Sequence, residues 1–417
     1  QWINNNSEML DINNSYTKLF NNFYENNTFH SLNYTKKIFK QDFLHDFDDI
    51  IEIDDTYKIK SGSIAQVYKA KFKNNMNNTM HENDYDDLNG PIAVKVVHPE
   101  IKYQLLFPIN FVYFYKFLVN NISFLKKYDT IFNFQSFFEN LKLQLNMKNE
   151  YANMEYFYNY YSNNEYIVIP RPLYSSKNIL FMKFIDGELL DNINVSEFEK
   201  QKIFLLFSLF LKDLYFFSDY FHCDLHDYNW KVTKYNNFYK LIIYDFGYII
   251  KNDDNIKKYC KNFILFSEIN NIEGFTDIIY NCITNINIEK NIFINIFKQY
   301  LSKFVPYTDD NIKQIYKFCY DNNYKLKDRF LEIFISIILV RKNSIKYLVN
   351  KTNKYNYNFI TQQNIAYVIL CEKYDIFNNV KEHIKNDYIN STLIKNNYVY
   401  ENDYYELLNN KQENIDI

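Results

Sequence analysis

Two polar segments, His222-Cys223-Asp224-Leu225-His226-Asp227-Tyr228-Asn229 and Asp245-Phe246-Gly247, flank a stretch patterned as a β-hairpin. Apolar positions predict strands over 231–233 and 241–244, turning at Asn236-Asn237. The two segments therefore stand in a loop–hairpin–loop context, with Asp224, Asn229 and Asp245 on the loops. Two carboxylates and an amide in this setting offer hard oxygen donors for Mg²⁺ beside nucleotide phosphates, and a carboxylate to orient an attacking hydroxyl.

The texture of the rest of the chain predicts how this hairpin is housed. Residues 7–45 read as helical, with Leu19, Phe20 and Phe23 and then Ile38, Phe39 and Phe43 at three-to-four-residue spacings. Tyr57–Phe72 reads as strand, Ser-Gly-Ser loop and strand, and Ile92–Val97 as a buried strand; polar, acidic Asn74–Gly90 is an insertion in the connecting loop. Phe134, Phe138, Leu141 and Leu145 predict one amphipathic helix running on toward Glu150. Strands follow at Ile167–Ile169 and Ile179–Phe184, then an Asp186-Gly187 turn and a core helix over Ile203–Phe217. Beyond Asp245 the pattern is mostly helical to about residue 386, followed by a polar tail. This order predicts an α+β, bilobal fold rather than a doubly wound sheet. The boundaries are a helical extension over 1–45, a first lobe over 46–186 containing the 74–90 insertion, a second lobe over 187–345, and a helical extension with a polar tail over 346–417.

Composition narrows the function by exclusion. A net charge of −3 with no long Lys/Arg block makes nucleic acid an unexpected partner. Cys223, Cys260, Cys282, Cys319 and Cys371 include no C-x-x-C pair, which predicts buried thiols in a reducing compartment rather than a zinc site or disulfides. Leu105–Leu125 is broken by Pro108, Asn110, Lys116 and Asn120, and Ile203–Phe217 by Lys212 and Asp213, so neither reads as a spanning helix of ~20 residues. The chain opens at Gln1-Trp2 without a signal or transit pattern, so any targeting segment is expected upstream.

Other motifs give Asp224, Asn229 and Asp245 a chemical setting. Asp224 and Asn229 have the five-residue offset of the kinase catalytic loop, and Asp245-Phe246-Gly247 is its metal-binding triplet. Ile92-Ala93-Val94-Lys95 matches the strand whose lysine reaches the α- and β-phosphates; Glu150 is its expected partner, with Glu139 and Glu155 as rivals. In Lys60–Val67, small residues between strands leave backbone N–H groups free to approach phosphate. The candidate set is thus Asp224, Lys95 and Glu150 as catalytic residues, Gly62, Ser63, Ile64, Ala65, Val67 and Lys95 around ATP, and Asn229 and Asp245 on Mg²⁺. Read separately, Lys60–Val67 is an ordinary hairpin turn and Lys95 a solvent-facing edge lysine. His222, Asp224 and His226 could also hold a transition metal, but that leaves Lys95 and Asp245-Phe246-Gly247 without a role.

Four blocks carry a family resemblance. Ser63–Ala70 (SIAQVYKA), Ile92–Pro99 (IAVKVVHP), Gln144–Ala152 and Phe221–Asn229 together resemble the UbiB, or aarF-domain-containing, atypical kinases over residues 1 to about 345. That family has a protein-kinase-like fold and an alanine-rich phosphate loop. The resemblance implies an Mg-ATP-dependent kinase or ATPase acting on a small or lipid-like molecule in support of coenzyme Q biosynthesis or mitochondrial lipid homeostasis. It further implies quinone-precursor or lipid-like ligands, coenzyme Q biosynthetic proteins as partners, and association with the mitochondrial inner membrane, a plastid being the alternative. Gln1-Trp2 resembles the end of the family's Lys-x-Gly-Gln element, whose helices are expected to lie over the substrate cleft and exclude polypeptides. Departures are Asn146 for a family carboxylate, His226-Asp227-Tyr228-Asn229 for His-Pro-Gly-Asn, Gly62 for a loop alanine, and no E-G-x-G-R block near Val340–Ile345. Aminoglycoside and choline kinases share H-x-D-x-x-x-x-N but lack the SIAQVYKA block; a non-catalytic nucleotide-binding scaffold is the other alternative.

Overall fold

The computed structural model describes residues 29–62, 64–73, 90–99, single positions within 101–122, 139–140, 142–226, 228–236, 238–268, 272–300, 309–327, 330, 347, 367–368 and 370–394. The chain forms two compact units, the first from Gln1–Glu188, Asn229–Asn236 and Ile242–Tyr248, the second from Leu189–Tyr228, Asn237–Leu241 and Ile249–Ile417. Helices and antiparallel strands are mixed, as the α+β expectation required.

The first unit opens with helices α1 (Leu32–Phe43) and α2 (Phe47–Ile50). Strands β1 (Ile51–Ile53), β2 (Lys60–Ser61), β3 (Ala65–Phe72) and β4 (Ile92–Val97) follow, then helix α3 (Met147–Tyr160) and strands β5 (Ile167–Val168), β6 (Pro172–Ser175) and β7 (Ile179–Lys183). The main sheet runs β1-β3-β4-β7-β6, with β2 paired to β3. All six residues of β4 are buried, so both faces of the sheet are covered there. Strand side chains alternate between faces. Ile92, Val94 and Val96 join Tyr68, Phe181, Phe39 of α1 and Phe47 of α2 in one core. Val97 packs on the other face with Met147 of α3 and Leu180.

Local chemistry fixes α1 on its face. Ser31 caps its N-terminus by accepting from the Tyr34 N–H, and Asp42 accepts from Ser176 Oγ at 2.5 Å and Asn178 Nδ2 at 3.0 Å. Phe39 meets Phe181 edge-on at a centroid distance of 6.1 Å. Burying such a ring contributes roughly 1.5–3 kcal/mol. The helix ends at Leu44 in the left-handed conformation, φ 61°. Because α1 shares the Val94 face, it lies on the side of the sheet opposite Lys95. Of the helical extension expected over 1–45, α1 lays its apolar Phe39 face on the sheet core, and residues 1–28 lie outside the described residues.

Two other expectations change. The helix foreseen from Phe134 to Glu150 is interrupted at Leu145-Asn146, where the Asn146 side chain accepts from Lys148 N–H and starts α3 afresh. Phe134, Phe138 and Leu141 lie outside the described residues. Strand β6 was not foreseen; it begins at Pro172 on the sheet edge, where a missing N–H is tolerated. The hairpin forms as β9 (Trp230–Tyr235) and β10 (Phe238–Ile243), after β8 (Tyr220–His222) of the second unit. Gly187 allows the first unit's chain to pass close to this hairpin. A Cβ there would stand 2.7 Å from Ile242 Cδ1 and 3.1 Å from the Val232 carbonyl oxygen.

The second unit is built on α4 (Glu197–Phe216), started by a reciprocal capping box between Ser196 and Glu199. Phe204, Phe207, Phe210, Leu211 and Leu214 along it are buried. β8 pairs antiparallel with β11 (Ile249–Lys251), a strand that interrupts the predicted helical run. Helices α5 (Asp254–Glu268), α6 (Ile272–Cys282), α7 (Lys290–Tyr300), α8 (Asp309–Asp321) and α9 (Asn378–Ile394) follow. α9 carries the helical pattern beyond 386. All five cysteines are buried, and burial pushes the Cys260, Cys319 and Cys371 thiols up to about 12. Among the described residues, no helix is long and apolar enough to cross a membrane.

Candidate active site

The turn between β2 and β3 is closed by its own backbone. Lys60 pairs with Val67 and Ser61 with Gln66, and the Gly62 N–H donates to the Ala65 carbonyl at 2.9 Å. Ile64 follows in the turn, and Ser63 lies outside the described residues. A Cβ on Gly62 would meet only the Ala65 oxygen, at an ordinary 3.6 Å. The backbone thus has room for alanine at this position. Register places Val67 opposite Lys95 and Ala65 opposite Val97, so both share the Lys95 face.

On that face, β4 and α3 bring the lysine to its partner. Val97 packs against Met147, and Glu150 lies three residues along α3, on the same side of the helix. Lys95 Nζ donates to Glu150 Oε1 at 2.7 Å and stands 3.2 Å from Asp245 Oδ1. Of the rival acids, Glu155 instead accepts from Tyr151. The Lys95 and Glu150 side chains are only 10% and 1% exposed, whereas Asp245 is 42% exposed. Burial disfavours the Lys95 ammonium, but Asp245 and Glu150 outweigh it and hold its pKa above the ordinary lysine value. Burial raises Glu150 to about 7, with Lys95 pulling against it and Asp245 adding to the rise.

Asp245 is held in a backbone conformation rare for a side-chain-bearing residue, φ 56°. The Gly247 N–H donates to its Oδ1 at 3.2 Å; a Cβ on Gly247 would be 3.2 Å from that same oxygen and crowd it. Phe246 is buried against Phe157 of α3, and its carbonyl accepts from Asn153 Nδ2 at 2.9 Å. Asn229 is buried at the start of β9, and its carbonyl accepts from the Tyr244 N–H at 2.7 Å, tying it to the residue before Asp245. The first unit therefore gathers Lys95, Glu150 and Asp245, with Asn229 joined to the same hairpin. Asn153 was not singled out in the sequence; its signal was its place one helical turn beyond Glu150.

Asp224 belongs to the second unit, directly after β8. Its N–H donates to Nδ1 of buried His222 at 3.2 Å, and its Oδ2 stands 3.8 Å from His226 Nε2. Nδ1 of His222 is thereby taken up by the loop backbone. Among the described residues no group of three His, Cys, Asp or Glu is arranged to hold a metal ion.

Comparison with known proteins gives this geometry a context. The family model described as the ABC1 atypical kinase-like domain matches residues 26–273. A probable serine/threonine-protein kinase, abkB of Dictyostelium discoideum, is 26% identical over 252 residues, covering 58% of this chain and 35% of that protein. The chain thus spans about a third of the length of that curated relative. Among solved structures, it is similar to Rv3197 of Mycobacterium tuberculosis in complex with erythromycin (TM-score 0.47, 14% identity, 84% of this chain and 92% of that one). It is also similar to the Rio2 kinase–ADP/Mg²⁺–phosphoaspartate complex of Chaetomium thermophilum (TM-score 0.29, 12% identity, 75% of each chain).

Proposed function

The chain belongs to the ABC1 atypical kinase-like family, and we propose that it is an Mg-ATP-dependent phosphotransferase or ATPase. The observation that carries this reading is the buried Lys95 ammonium, held at 2.7 Å by Glu150 and at 3.2 Å by the more exposed Asp245. A lysine fixed in this manner presents a permanent positive charge to α- and β-phosphates, while Glu150 keeps the side chain in place without reaching solvent. Gly62, Ile64 and Ala65 supply the backbone of the phosphate loop, and Ala65 and Val67 line the sheet on the Lys95 face. Asp224 is assigned the acceptor: its carboxylate orients the attacking hydroxyl or water and takes up its proton.

Asn229 and Asp245 fit Mg²⁺ in donor chemistry. Both offer hard oxygen, the Asp245 carboxylate is open to solvent, and this ion takes one or two protein oxygens alongside phosphate and water. When bound, it supplies charge neutralisation at the β- and γ-phosphates. The family resemblance of the sequence supports a small or lipid-like acceptor connected with quinone precursors, and a mitochondrial or plastid setting beside the membrane and coenzyme Q biosynthetic proteins. The relative's description as a probable serine/threonine kinase makes polypeptide the competing acceptor.

The test is Mg²⁺-dependent release or transfer of labelled γ-phosphate by the wild-type chain and by Asp245→Asn. Turnover should fall at least a hundredfold in the variant, as expected when a principal electrostatic contribution to the transition state is removed. Equal rates would remove Asp245 from the site.

A further inference from the structure

We propose that His30 and His98 form a positioning clamp that sets the phosphate loop from the face of the sheet opposite Lys95, an inference that rests on the nucleotide reading above. His98 follows β4 directly. Its N–H donates to the Ile64 carbonyl at 2.9 Å, and its Nε2 lies 3.1 Å from the Gly62 carbonyl and 3.2 Å from Ser61 Oγ. One residue thus holds both sides of the Ser61–Ile64 turn. Behind it, His98 Nδ1 meets His30 Nδ1 at 2.8 Å, and His30 Nε2 meets Thr35 Oγ1 at 2.9 Å. Thr35 Oγ1 is 2.8 Å from the Tyr68 hydroxyl, which accepts from Gln66 Nε2 at 2.6 Å. Gln66 Oε1 closes the ring by accepting the His30 backbone N–H at 3.0 Å.

The proton positions follow from the one acceptor-only group that meets a ring nitrogen. The Gly62 carbonyl requires a proton on His98 Nε2. In neutral His98, Nδ1 is then an acceptor, so His30 Nδ1 carries the proton and His30 Nε2 accepts from Thr35. Thr35 in turn accepts from Tyr68. Every link is satisfied with both rings neutral. Burial lowers both pKa values, and His98 lowers His30 further, to about 4. A single added proton can be carried on His98 if His30 switches tautomer, but two would set N–H against N–H at 2.8 Å.

The clamp touches the loop backbone and lies on the Gln66 and Thr35 side, away from Lys95, so these are positioning residues. Its effect should fall on ligands that carry phosphate. Calorimetry with ADP and with adenosine, which lacks phosphate, therefore separates the clamp from general folding. His98→Leu should weaken ADP about tenfold, the equivalent of one or two lost hydrogen bonds, and leave adenosine within twofold. His98→Gln, which keeps a donor for the Gly62 carbonyl, should restore most of the ADP affinity. Equal weakening of both ligands, or unchanged ADP binding in His98→Leu, would overturn the clamp. If the wild-type chain binds neither ligand, the nucleotide reading falls by itself. Amide hydrogen exchange over Ser61–Gln66 then decides the clamp: faster exchange in His98→Leu with β7 unchanged supports it, and unaltered exchange refutes it.

Discussion

Replacing Lys95 with Met should destabilise the first unit strongly, and in a manner that depends on pH. The substitution keeps the aliphatic stem and removes the only cation within 4 Å of Glu150 among the described residues. Breaking a buried ion pair by deleting one partner costs about 3–5 kcal/mol, because the other charge stays uncompensated. Glu150 can escape only by taking up a proton. Its folded pKa, about 7, already exceeds the ordinary carboxylate value of 4.5, so the native state binds the extra proton and stability is lost as pH rises through that window. Without Lys95 pulling against it, the folded pKa moves higher still and the window extends upward. Between pH 7 and 8 the wild type should lose only about 0.4 kcal/mol on this account, whereas Lys95→Met should lose about 1.4 kcal/mol. Urea unfolding followed through the emission of Trp230, buried in this same unit, reads the difference. A loss below about 1 kcal/mol at pH 8, or an equal loss at pH 7 and pH 8, would refute a buried, charge-compensated Lys95–Glu150 pair.

Leu44 is 85% exposed and left-handed, so Leu44→Gly should relieve about 1 kcal/mol of backbone strain and raise the urea midpoint; a lower midpoint would show that the Leu44 side chain contributes contacts. His30 faces His98 after β4, Tyr34 and Thr35 on α1, and Tyr68 and Gln66 on β3. With its folded pKa at about 4, below the ordinary 6.5, its contribution is full above pH 6.5 and fades as pH falls toward 4. The stability gap between wild type and His30→Asn should therefore narrow from pH 7 to pH 5, and a constant gap would remove His30 from that titration.

Much of this was legible in the chain because the chemistry is carried by short, contiguous motifs. IAVKVV reads as a strand buried on both faces, and its single charged member must then find a carboxylate. Glu150 was identified despite a misplaced helix start, since the Asn146 cap changes where α3 begins but not which turn faces β4. The break at Leu145-Asn146 was hidden because an apolar period persists across it. β8 and β11 were missed because each is only three residues long and pairs with a strand distant in sequence. The His30–His98 contact spans 68 residues and leaves no periodic trace; the only hints were His98 beside the Lys95 strand and His30 just before a serine cap.

The central claim is that Asp245, beside the buried Lys95–Glu150 pair, gives this chain metal-dependent nucleotide binding. Calorimetric titration of ATP into wild type and Asp245→Asn, each with Mg²⁺ and with EDTA, tests it most directly. The account predicts that Mg²⁺ tightens ATP binding at least tenfold in the wild type, about 1.4 kcal/mol, and that Asp245→Asn loses this gain while keeping metal-free binding through Lys95. An equal Mg²⁺ effect in both proteins, or no ATP binding by the wild type under either condition, would contradict it.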